Sequence, residues 1–203
     1  MTKIAVVFHS ATGNVHALAH ALAEGAEESG AEVRVRRAPE IAPPAAIAAN
    51  ERWQRYVDEV APTVQEVALD DLDWADGFAF GSPTRFGGPT AQLKSVLDST
   101  GGLWFKGALA DKVATGFTSA STGHGGLEST ILALNNVFYA WGSIILPTGY
   151  TAPVFNEQGN PYGASWVSRK SAPPDDLALE AARQQGRRLA DVTATFLRGR
   201  AAA

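Results

Sequence analysis

This chain predicts an α/β fold: a doubly wound, five-stranded parallel sheet with helices on both faces. Three observations carry that expectation. Short apolar runs rich in β-branched and aromatic residues recur along the 203 residues, stretches with apolar residues at helical spacing separate them, and the loops after three of the runs are dense in glycine and hydroxyl side chains. Hydrophobic residues make up 45% of the chain, enough for one sizeable core, so residues 1–203 are expected to form a single domain.

The first run, Ile4 to Phe8, is continuously apolar, as suits a strand covered on both faces. After its loop, Val15, Leu18, Ala19, Leu22 and Ala26 mark one face of a helix, and Gly30 stands where a left-handed cap would end it. Val33 and Val35 alternate with Arg34 and Arg36 in a second strand, and Phe78 to Phe80, Val113 to Phe117 and Ile144 to Leu146 supply three more. Helical spacing returns at Leu93, Val96 and Leu97, at Leu127, Ile131, Leu134 and Phe138, and at Leu189, Val192 and Phe196. Two stretches, 39–66 and 148–174, interrupt the alternation and read as insertions. The first carries Ile47, Trp53, Tyr56, Val57 and Val60, which places a short amphipathic helix in it; the second is rich in Gly, Pro and Ser.

Composition narrows the chemistry. A formal net charge of -4 gives no electrostatic reason to expect nucleic acid or an anionic membrane as partner. The absence of cysteine closes disulfides, thiolate metal sites and thiol nucleophiles. No His and carboxylate cluster has metal-ligand spacing, and His9, His16 and His20 read most simply as strand-end and helix-surface residues. No window approaches the roughly 18 apolar residues of a membrane span, and no basic segment with a long apolar stretch opens the chain, so a cytoplasmic location is expected.

In a doubly wound sheet, ligands bind beyond the carboxyl ends of the strands. The loop after the first strand, Ser10-Ala11-Thr12-Gly13-Asn14-Val15, leads into a helix N-terminus, whose free N–H groups and positive dipole end favour an anion such as a phosphomonoester. Its spacing matches neither G-x-x-x-x-G-K-[ST] nor G-x-G-x-x-G, and helix capping by Ser10 or Thr12 explains the loop equally well. Two further loops, GSPTRFGG (81–88) and TSASTGHGG (118–126), reach the same edge.

The motifs SPTRFGG, LDSTGGLW (97–104), GHGGLESTI (123–131) and GNPYGAS (159–165) resemble the WrbA-type NAD(P)H:quinone oxidoreductases, flavodoxin-like proteins that bind FMN. The resemblance spans nearly the whole chain. It implies that Ser10, Thr12, Gly13, Asn14 and Val15 wrap the FMN phosphate and that Pro83, Thr84, Arg85 and Phe86 line the isoalloxazine. Ser119, Ala120, Ser121, Thr122, Gly123 and Gly125 would close over the other side of the ring and the ribityl chain. Arg85 would stabilise the anionic reduced flavin, its alternative role being a surface salt bridge. Trp104 would overhang the substrate space, its alternative place being the core. The flavin carries the chemistry in this family, so no catalytic side chain and no metal is expected.

Two positions depart from the family pattern. Ala140, followed by Trp141, stands where relatives carry a flavin-facing histidine, which leaves Trp141 or His124 to take over that wall of the substrate site. Thr12 stands where relatives often carry an aromatic that contacts the nucleotide. The resemblance further implies ping-pong transfer from NADH or NADPH through FMN to quinones, in a homotetramer whose neighbouring chains complete each site, with a dimer as second choice. The competing classes are a flavodoxin-type electron carrier without a substrate pocket and a redox-linked regulatory or interaction protein.

Overall fold

In the computed structural model, which describes residues 1–202, the chain runs β1 (Lys3–Phe8), α1 (Asn14–Glu28), β2 (Glu32–Arg37), α2 (Pro44–Ala48), α3 (Glu51–Arg55), α4 (Leu69–Trp74), β3 (Gly77–Pro83), α5 (Ala91–Ser99) and α6 (Gly101–Phe105). It continues through β4 (Val113–Ala120), α7 (Leu127–Trp141), β5 (Ile144–Ile145), α8 (Pro153–Gln158), β6 (Ser165–Val167) and α9 (Asp176–Ala201). The strands pair in parallel in the order β2-β1-β3-β4-β5. The five expected strands are therefore present and doubly wound, with the order reversing between β1 and β3. The short β6, which the sequence pattern did not reveal, pairs with β4.

Alternation along β1 explains its continuous apolar run. Ile4, Val6 and Phe8 pack with Leu18 and Leu22 of α1, Leu189 of α9 and Phe117, while Ala5 and Val7 join Phe78, Phe80, Leu93, Leu97, Leu134 and Phe138 on the opposite face. On the first face α1 and α9 touch through their backbones. A Cβ at Gly25 would lie 1.9 Å from the Arg183 carbonyl oxygen, and one at Gly186 would lie 1.9 Å from that of Leu22. Ion pairs Arg183–Glu24 (3.0 Å) and Arg187–Glu28 (2.8 Å) flank this crossing.

The outer edge of β4 is divided. β5 pairs with Val113 and Ala114, and β6 pairs with Thr118 to Ala120. Gln185 of α9 spans the gap: its Nε2 donates to Thr115 Oγ1 (2.7 Å) and to the Gly116 carbonyl (2.9 Å), and its Oε1 accepts from the Ala164 N–H (2.8 Å). In the 39–66 stretch the expected helix is broken into α2 and α3, followed by a widened turn over Tyr56–Val60 and a tight one over Ala61–Thr63. Arg37 at the end of β2 anchors the segment by donating from Nε to the carbonyls of Ala61 (2.9 Å) and Val64 (3.0 Å).

Candidate functional site

The loop after β1 turns into α1 at Gly13, whose φ of +97° is open to glycine at little cost. The Gly13 N–H donates to Ser10 Oγ (3.1 Å), and among the described residues no side chain caps α1. The capping alternative is thus not realised. The N–H groups of Asn14, Val15 and His16 lack intrahelical partners, as in the first turn of any helix, and face the loop.

Loops after β3 and β4 are bound to each other beside it. The Thr84 N–H donates to the Ser119 carbonyl (2.8 Å), and Arg85 and Gly88 exchange backbone hydrogen bonds (2.8 and 3.1 Å) in a tight turn. The Thr84 hydroxyl donates to the Gly125 carbonyl (3.2 Å) and accepts from Thr130 Oγ1 (2.7 Å), which locks the two loops together. Arg85 Nη1 donates to the Thr84 carbonyl (2.9 Å). Among the described residues it has no carboxylate within ion-pair distance, so the salt-bridge alternative is not realised either. Together the three loops enclose a cavity of about 300 Å³ whose lining includes Ser10, Thr12, Asn14, Val15, Pro83, Thr84, Arg85, Ser119, Ala120 and Ser121.

Ala11, Asn50, Trp53 and Ser168 also line this cavity, and sequence reasoning missed them. Asn50 caps α3, accepting from the N–H groups of Arg52 (3.1 Å) and Trp53 (3.2 Å). Trp53 Nε1 donates to Glu40 Oε2 (3.0 Å), an oxygen that lies 3.4 Å from His9 Nε2, while Glu40 Oε1 accepts from Gln92 and from the Ala42 N–H. Burial pushes the Glu40 carboxyl up, but these hydrogen bonds from His9, Gln92, Ala42 and Trp53 outweigh it and hold the pKa at about 2. An ionised Glu40 therefore fixes the Trp53 indole at the rim. Beneath the loop, His16 Nδ1 meets the Tyr56 hydroxyl at 3.2 Å. Burial, together with neighbouring His20, lowers the His16 pKa to about 4, and burial raises the Tyr56 pKa to about 12.

Other expected site residues lie elsewhere. Gly13 backs the loop from the far side, where it borders a second cavity. Phe86 projects fully into solvent from a left-handed backbone (φ 54°) rather than toward the cavity. Thr122 and Gly125 form the turn beyond the cavity wall, joined by a 3.1 Å backbone hydrogen bond, and Gly123 lines a separate groove against Trp166. Exposed His124 belongs to the same turn and lies outside the lining.

Trp104, Ala140 and Trp141 require a correction, because this chain carries them at the opposite end of the sheet. The fifteen residues of α7 run back from the site end for about 20 Å, and Trp141 stands just before β5, whose Ile144 pairs with the first residue of β4. Trp104 Nε1 donates to the Ala140 carbonyl there (2.9 Å), and the Trp104 ring is 54% exposed, so it is not core. Trp141 is core, packed among Phe78, Phe80 and Phe138, and is not part of the cavity lining.

The profile of NADPH-dependent FMN reductases matches residues 2–157, more than half of the chain. The chain belongs to this family. It is 40% identical over 196 residues to an NAD(P)H dehydrogenase (quinone) from Deinococcus radiodurans, covering 96% of this chain and 97% of that protein. It is 38% identical to a protein of the same name from Rhizobium johnstonii, covering 96% and 98%. A solved flavodoxin, WrbA-like protein from Agrobacterium tumefaciens shares 27% identity over 97% of this chain and 99% of its own, with a TM-score of 0.66. A flavodoxin from the domain Archaea, 20% identical with a TM-score of 0.62, shares the fold.

The family cofactor fits the residues present. FMN asks for a phosphate cradle, hydroxyl and amide partners for the ribityl chain, and a flat slot for the ring. The cavity provides the Gly13 turn with free N–H groups, the hydroxyls of Ser10, Thr12, Ser119, Ser121 and Ser168, and an opening edged by Trp53 and Arg85. Among the described residues no carboxylate lines it to repel the phosphate.

Proposed function

We propose that this protein is an FMN-dependent NAD(P)H dehydrogenase acting on quinones. The observation that carries the reading is the convergence of the three strand-end loops on one hydroxyl-lined cavity at the switch point between β1 and β3, in a chain that matches quinone dehydrogenases along its full length. FMN supplies the two-electron chemistry when bound, accepting a hydride from the nicotinamide and delivering electrons to the quinone. The Ser10–Val15 loop holds the phosphate, and Ser119 to Ser121 hold the ribityl side. Arg85, which has no carboxylate within ion-pair distance among the described residues, supplies positive charge toward the reduced form. Among the described residues the lining offers no His, Asp or Glu.

Trp104 and Ala140 enter this reading only through a neighbouring copy. Trp104 (54% exposed), Phe105 (85%) and Tyr139 (70%) form an aromatic surface at the lower end of α6 and α7. Such a surface favours self-association, and a closed homotetramer, with a dimer second, would bring it to another chain's cavity. The reading further takes residues 1–203 as one domain working in the cytoplasm with NADH or NADPH and quinones, and with no nucleic acid or membrane partner. Among the described residues, no helix is long and apolar enough to cross a membrane.

The test is anaerobic stopped-flow of the FMN-loaded protein. NADPH should bleach the flavin band within a turnover, and benzoquinone should restore it. A flavin that NADPH leaves oxidised, but that an artificial one-electron donor reduces, would assign the protein to the electron carriers instead.

A further inference from the structure

On the far side of Thr12 from the flavin cavity lies a second cavity of about 360 Å³, walled by Thr12, Gly13, His16, Tyr56, Arg52 and Arg55. The two arginines stand three residues apart on α3 and so share one face of it. Among the described residues neither has a carboxylate within ion-pair distance, whereas Arg34, Arg36, Arg37, Arg183 and Arg187 are all paired. Three acids stand within four residues of Arg55 along the chain, Glu51, Asp58 and Glu59, and both oxygens of Asp58 accept from Gln54 Nε2 (3.0 and 2.9 Å). Glu51 and Glu59 are exposed and do not line the cavity. His16 is uncharged at neutral pH, so the positive charge here is that of the two guanidinium groups.

Two guanidinium groups left unpaired in a walled cavity, within a chain of net charge -4, are placed for a compact dianion, and the planar N–H fork of arginine matches phosphate oxygens. Thr12 lines both cavities, so the two lie side by side on the phosphate loop. We infer that this cavity receives the adenosine 2′-phosphate of NADPH while the nicotinamide reaches the flavin cavity, which makes Arg52 and Arg55 the residues that select NADPH over NADH. This rests on the dehydrogenase reading and deepens it.

The probe is adenosine 2′,5′-bisphosphate, compared with adenosine 5′-monophosphate by calorimetry on the FMN-loaded protein. The bisphosphate should bind about tenfold more tightly or better, the scale of one charge-assisted phosphate contact. In Arg52→Gln/Arg55→Gln that difference should vanish, and the KM for NADPH relative to that for NADH should rise about tenfold, while the double Lys variant should restore part of the preference. Equal binding of the two probes to the unaltered protein would overturn the inference. So would a Gln variant that keeps the difference, or one whose main defect is weakened FMN binding, since the arginines would then serve the cofactor phosphate. A protein that uses NADH and NADPH equally but reduces quinones loses this inference alone. One that shows the arginine-dependent probe preference yet transfers no electrons loses the dehydrogenase reading and keeps the site.

Discussion

Gly13 concentrates the site's requirements in one residue: its left-handed backbone turns the chain into α1 and so presents the first-turn N–H groups to a phosphate. A β-branched residue in that conformation is disfavoured by roughly 1–2 kcal/mol. Gly13→Val should therefore weaken FMN binding about tenfold or more while the fold persists, read by flavin fluorescence titration beside circular dichroism. Unchanged affinity in a folded variant would remove the phosphate from this loop. Arg85→Ala should lower the flavin midpoint potential by a few tens of millivolts, since about 30 mV corresponds to 1.4 kcal/mol for a two-electron couple; an unaltered potential would give Arg85 a purely structural role. Residues on the three loops were legible because strand ends advertise themselves through glycine and hydroxyls. Trp53 was legible only as one face of an amphipathic helix, because its place at the rim depends on Glu40, thirteen residues away, as hydrogen-bond acceptor.

Among the elements, α1 ties the phosphate loop to the titration of the molecule. The His16 pKa of about 4 lies below its ordinary 6.5, so the unfolded chain takes up this proton first as the pH falls. The contribution of His16 is fully present above pH 6.5 and is lost as the pH drops toward 4. Urea midpoints measured between pH 7.5 and 5 should fall less steeply in His16→Leu than in the unaltered protein; parallel slopes would show that His16 does not carry the effect. The core strands and α1 were readable because both periods, apolar runs and helical spacing, were uninterrupted. β6 was not, since three residues inside a Gly- and Pro-rich stretch have no period of their own and are strand only because β4 offers an open edge. The misplacement of Trp104 and Ala140 has a directional cause. Motif spacing along a chain does not show that each helix of a βαβ unit carries its C-terminal end away from the ligand edge, so a residue just before a strand lies at the far end of the sheet.

At the scale of the whole molecule, that geometry makes association part of the proposed activity. Gly13→Val and Trp104→Ala proteins, each poorly active alone, should regain up to about a quarter of full activity when unfolded and refolded together, as random mixing places one intact loop beside one intact tryptophan in that share of sites. Light scattering should report a closed oligomer, tetramer first. A fully active monomer, or mixtures no better than their components, would confine the site to one chain. The Gln185 amide has a different bearing on the assembled protein. It stitches β4 to the Ala164 segment where no strand continues the ladder, and β6 beyond it is held by three residue pairs. A seam so short gives way below the threshold for global unfolding. Native-state hydrogen exchange should therefore find the amides of Ser165 to Val167 opening together, earlier than those of β1 and β3, and faster in Gln185→Leu. Since Ser168 follows directly on that seam and lines the flavin cavity, its parting would let the cofactor leave and return without the rest of the chain coming undone.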